Sequence, residues 1–182
     1  MITRNSRLIV FLIFSLIIKN ALTQVVTTMP EFPTADQDSV IVIFDATKGD
    51  GGLANVPPPI YAHTGVITNM STSPTDWKYV IADWSTNTDK ALMTPLGNNL
   101  YQLVLKPTVR GFYNVPENET ILRIAFVFRN SDGSRTGRES DGSDIFYDIY
   151  PPGLNVNIQS PVNGAIYEQG QTVDIQAVSN MA

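Results

Sequence analysis

Few side chains in this chain are equipped for chemistry. It has one histidine, His63, and no cysteine. Cysteine nucleophiles, thiolate metal sites and a disulfide framework are therefore excluded, and histidine-based metal clusters or repeated acid–base dyads have too few ligands. His63 stands two residues after Tyr61, and Trp77 and Trp84 follow downstream. On a strand of period two, Tyr61 and His63 project from one face while Ile60 and Ala62 face the other way. Rings of this kind stack on an apolar sugar face and hydrogen-bond its hydroxyls. Half-coverage of a ring's roughly 200 Å² would contribute about 2.5 kcal/mol. Two or three such platforms give roughly 5–8 kcal/mol gross, against association costs of about 4 kcal/mol or more. Weak recognition that depends on avidity is the expected result. The same residue types would also serve as core or rim fillers, with His63 on a backbone carbonyl.

Other constellations are poorer. Asp132-Gly133-Ser134 and Asp141-Gly142-Ser143-Asp144 place oxygen ligands in glycine-kinked loops that a calcium ion would accept. They lack the EF-hand spacing and its bidentate glutamate, and Asp-Gly is first a turn signal. Asp141 with Asp144, or Glu117 with Glu119, could stand at the carboxylate spacing of glycoside hydrolysis. All four lie in turn-like, solvated segments where nothing would raise an acid's pKa. Gly49-Asp50-Gly51-Gly52 lacks the Gly-Lys-Ser/Thr ending of a phosphate loop, and His63 has no evident nucleophile partner. No catalytic residue, metal ligand or cofactor site is assigned.

The elements that must carry these residues read as short strands. Residues 1–23 are expected to form a signal peptide: Arg4 and Arg7, then the apolar run Leu8 to Ile18, then a cut after Thr23. Eleven apolar residues are too few to span a bilayer core of roughly 30 Å, and an uncleaved N-terminal anchor is the alternative. Cleavage removes three basic residues and no acid, so 12 basic and 17 acidic residues become 9 and 17, a net charge of −8. Such a balance disfavours nucleic acid as a partner. Location is expected to be secreted or cell-surface, with no stable membrane insertion after cleavage. The sequons at Asn69 and Asn118 are taken as chance occurrences.

Residues 24–39, with Pro30 and Pro33, are expected to form a loose leader. Strands are predicted over 40–44, 60–67, 77–82, 100–105, 121–128 and 145–149, with one helical turn within 108–114. Leu122, Ile124, Phe126 and Phe128 should share a face opposite Arg123. No segment sustains a 3.6-residue period. Residues 40–150 thus read as an all-β, antiparallel, immunoglobulin-like β-sandwich. A linker at 151–154 leads to a second unit, 155–182, with too few strands to bury a core alone. It reads as the truncated start of a second Ig-like domain in a longer protein, with a complete protein ending in a frayed hairpin as the alternative.

The run from Val40 to Tyr150 resembles an N-terminal domain of secreted α-amylase-type proteins of Gram-negative glycan degraders. The residues that carry the likeness are IVIFDATKGDGGLA (41–54), IYAHTGVIT (60–68), DWKYV (76–80), GNNLYQLVL (97–105), RGFYNVP (110–116), ETILRIAFVFRNSDGS (119–134) and DGSDIF (141–146). SPVNGAIYEQG (160–170) resembles the Ig-like repeat that follows in such proteins. Tyr61-x-His63…Trp77 is similar to the aromatic triad of small starch-binding β-sandwich modules. The resemblance implies a non-catalytic module that binds an α-glucan through Tyr61, His63 and Trp77, to which the residue types read above add Trp84 as a further candidate. Its partners would be that polysaccharide and the adjacent domains of the same polypeptide. The catalytic barrel and its acids would lie outside these 182 residues. A structural Ig-like spacer or adhesin-type module with no ligand of its own is the alternative.

Overall fold

The computed structural model describes residues 24–180, so the expected signal peptide lies outside the described residues. Ten strands follow in order: β1 (Val26–Met29), β2 (Val40–Asp45), β3 (Ile60–Thr68), β4 (Thr94–Gly97), β5 (Leu100–Leu105), β6 (Ile121–Asn130), β7 (Thr136–Gly137), β8 (Ile145–Asp148), β9 (Val156–Ser160) and β10 (Gln176–Ser179). One short helix, α1 (Val109–Tyr113), separates β5 from β6. The first sheet runs β1-β2-β5-β4; the second is β3 on β6, with β7 and β8 pairing different lengths of β6's far edge. All named pairings are antiparallel. The chain is an antiparallel, all-β sandwich.

Alternation builds the core. Val40, Val42 and Phe44 of β2, with Tyr101, Leu103 and Leu105 of β5, face Ile60, Ala62 and Val66 of β3 and Ile124, Phe126 and Phe128 of β6. Phe44 and Phe128 stack across the sheets at 3.9 Å between ring centroids. Thr108 caps α1, its Oγ1 accepting from the Gly111 amide at 2.9 Å. The helix buries Tyr113, whose hydroxyl shares a 2.6 Å hydrogen bond with Thr64 inside the sandwich. Over residues 124–129 β6 is buried on both faces because each is covered. Ala125, Val127 and Arg129 are buried opposite the core, where the chain after β3 folds back. That return segment bonds to β3 through Val66 and Lys78 in both directions (2.9 and 2.7 Å), and Ile81 donates to Thr64 at 3.0 Å.

Several expectations need correction. Residues 24–39 are no loose leader: Val25 and Val26 are buried, β1 extends the first sheet, and Phe32 packs edge-on against Tyr150 at 5.0 Å. Two apolar residues before a proline are too weak a local signal, and the strand owes its existence to the open edge of β2. Residues 77–82 are not a strand; the segment bends repeatedly and meets β3 through the single Lys78 bridge to Val66 and the Ile81 hydrogen bond to Thr64. Leu122 does not join the inward face. The β3–β6 register slips between Ile67 and Thr68, so Ile121 turns inward and Leu122 is 45% exposed. In the second unit, β10 pairs with β9 alone among the described strands. Beyond Ile149 no described residue is buried.

Candidate functional site

The outer face of the β3–β6 sheet carries the site. Tyr61, His63 and Gly65 alternate with the inward Ile60, Ala62, Thr64 and Val66, and lie opposite Arg129, Val127 and Ala125 of β6. Gly65 is required by close approach. A Cβ there would stand 2.9 Å from the Lys78 carbonyl oxygen and 3.1 Å from a Val80 methyl. Its absence lets the return segment lie flat on the sheet and bring Trp77 over His63.

Three rings then converge. His63 and Trp77 stack at 5.6 Å between centroids, with planes 27° apart, and Trp84 meets His63 edge-on at 5.1 Å and 74°. Phe146 of β8 stands edge-on to Trp77 at 6.4 Å. His63, Trp77 and Trp84 open onto a cleft of about 460 Å³, a size suited to a small ligand or part of a polymer. Polar groups edge it: Asp76, paired with Lys78 at 2.9 Å, and Asp144, paired with Arg138 at 2.5 Å. Val80 and Val127 add apolar wall. His63 and Trp77 are half-buried, and Trp84 is 38% exposed.

Electrostatics keep the imidazole neutral. Burial pushes His63 below its ordinary value and the nearby Arg129 cation adds to this, while Asp144 and hydrogen bonding to the Ala82 backbone oppose it. Asp76 is held down to about 2, first by the Thr72 amide and then by Lys78. The cleft therefore offers a neutral imidazole, an ionised carboxylate, a second carboxylate already paired with a guanidinium, and two indoles.

Of the four residues singled out from the sequence, His63, Trp77 and Trp84 line the cleft together. Tyr61 is not among its lining residues; its ring lies against the Arg129 guanidinium, 5.3 Å from centroid to Cζ. Asp76, Arg138 and Asp144 escaped notice as cleft residues. Asp76 adjoins Trp77 and could have been suspected, whereas Arg138 reaches the cleft only because β7 pairs with β6.

The Asp-Gly loops are closed by their own hydrogen bonds. The Asp132 carboxylate accepts from the Ser134 amide and hydroxyl, and Asp141 accepts from the Ser143 amide. These serines hold both carboxyls below the usual range. No group of three or more His, Cys, Asp or Glu suited to a metal ion occurs among the described residues. Glycines 49 and 52 pack against β7: a Cβ would fall 1.9 Å from the Arg138 carbonyl and 2.1 Å from that of Thr136.

The chain matches no curated protein. A family model matches residues 27–136, from β1 to the first residue of β7. The match takes in His63, Trp77, Trp84 and Arg129 and stops before Arg138 and Asp144. It covers more than half of the sequence, and the chain belongs to this family, described as a domain of unknown function (DUF8578).

Proposed function

We propose that this chain is a non-catalytic glycan-binding module of a secreted or cell-surface protein, and that its ligand is an α-glucan of the starch type. The observation that supports this most is the ring geometry: His63 and Trp77 stacked, Trp84 edge-on, all open to one cleft rimmed by Asp76, Arg138 and Asp144. Aromatic faces beside ionised hydrogen-bonding groups suit a ligand with apolar ring faces and a belt of hydroxyls. Asp144 and Arg138 offer acceptor and donor side by side, matching a vicinal diol. Binding at one such cleft is weak, and attachment to a polymer with many equivalent segments sustains it through avidity. The immunoglobulin-like character of the sandwich, from its strand pattern, the export of the chain, from the basic and apolar start of the sequence, and the α-amylase-type parent, from the resemblance above, belong to the same proposal.

The structural-spacer reading has its own support. His63 is half-buried between two indoles, as a structural histidine would be. The C-terminal hairpin also exposes Leu154, Val156, Ile158 and Ile175, which a neighbouring domain would cover.

Affinity electrophoresis of residues 24–182 through amylose-containing gels separates the two. Retarded migration that Trp77→Ala abolishes supports the glycan reading; unretarded migration of the wild-type chain supports the spacer.

A further inference from the structure

Arg129 is 2% exposed, and no carboxylate pairs with it among the described ion pairs. A buried cation without a counter-charge is costly to desolvate, so its surroundings should show what it secures. Its acceptors are neutral and come from two loops. The guanidinium donates to Thr86 O at 2.9 Å and Asn87 Oδ1 at 2.9 Å in the loop after Trp84. It also donates to Asn130 O at 3.0 Å, at the end of β6, and to Ser131 O at 3.3 Å in the turn that follows. Asn87 Nδ2 closes the ring by donating to Ser131 O at 3.1 Å. The Nε of Arg129 has no hydrogen-bond partner; the aromatic faces of Tyr61 and Trp84, at 5.3 and 5.8 Å from Cζ, flank the group instead. Gly133 lies against the pyrrole edge of Trp84, where a Cβ would come 2.9 Å from Nε1.

We infer that Arg129 is a positioning residue: its buried guanidinium joins the 84–87 loop to the 130–133 turn and thereby sets the Trp84 indole as the outer wall of the cleft. Tyr61 serves the same assembly by stacking on that cation. Only a planar, delocalised cation meets these demands. It reaches four acceptors on two loops while presenting flat faces to two rings; a lysine ammonium is a point charge that cannot. The fixed wall matters for recognition because a preordered indole loses less conformational freedom when a ligand arrives. That last consequence rests on the glycan reading, whereas the positioning of Trp84 does not.

The test uses the chain from residue 24 onward, in a Trp77→Phe background so that emission reports Trp84 alone. Arg129→Lys keeps a basic side chain of similar length but loses the planar fork, and is expected to shift Trp84 emission to the red and raise its acrylamide quenching at least twofold. Asn87→Ala removes one acceptor and the Ser131 link from an exposed loop, and is expected to give the same change in smaller degree. It decides the matter if Arg129→Lys fails to fold. With Trp77 present, Arg129→Lys is expected to weaken retardation in amylose gels about fivefold. Unchanged Trp84 emission and quenching in these variants would overturn the inference, whatever the gels show. Altered emission, with no retardation even of the wild-type chain, would uphold the positioning role and refute the glycan reading.

Discussion

Replacing Gly65 by alanine tests how the site is assembled. The new Cβ would lie 2.9 Å from the Lys78 carbonyl oxygen, where ordinary contact begins at 3.4 Å. Lys78 must therefore retreat by about 0.5 Å, which stretches the 2.9 Å bond from the Val66 amide towards 3.4 Å and strains its 2.7 Å companion. Losing the first bond and part of the second costs roughly 1–2 kcal/mol. Reduced freedom of the unfolded chain returns ~0.4–1 kcal/mol. The net loss of about 1 kcal/mol should lower Tm by ~2–4 °C in a chain of this size. Movement of Lys78 also carries Trp77 off His63, so tryptophan emission should shift and amylose retardation should fall by more than the stability change implies. Adding Val80→Ala removes the methyl 3.1 Å from the new Cβ but not the carbonyl, and should restore only part of both. Differential scanning calorimetry and steady-state fluorescence read the two effects. A Gly65→Ala chain with wild-type Tm and emission would show that the return segment is not held by this contact.

Trp77→Ala removes one aromatic platform worth about 2.5 kcal/mol of contact, so amylose affinity should fall on the order of 70-fold in a titration of gel mobility, while Tm changes little because the indole is only half-buried. Phe128→Ala empties a fully buried ring stacked on Phe44 and should cost about 3–5 kcal/mol in urea unfolding. His63 should titrate below its ordinary 6.5 in NMR. Because the folded chain resists protonation there, stability is fully present above pH 6.5. It declines as pH falls below that value, while Asp76, held to about 2, stays ionised. His63→Gln should flatten that decline in pH-dependent thermal melts.

The sandwich was legible wherever one strand's own pattern sufficed. β5 matches its expected span, β2, β3 and β6 match within two residues at either end, and Thr108 and Asn114 bound α1 within the expected turn. Strands that depend on a neighbour escaped. β1 rests on Val26, Thr28 and the edge of β2, and β4 on a hairpin partner, because their stability comes from hydrogen bonds that no local window contains.

For the site, residue type and spacing were enough to put Tyr61 and His63 on one face of β3 and to select the tryptophans, since period two is a property of the extended backbone itself. Which rings meet was decided by tertiary structure. Gly65 admits the return segment, and its bends aim Trp77 and Trp84 at the same imidazole. Arg129 draws Tyr61 away into a stack of its own, and β7 and β8 bring Arg138 and Asp144 to the rim. These are contacts between segments far apart in the chain, set by the closeness of backbones and the burial of one charge.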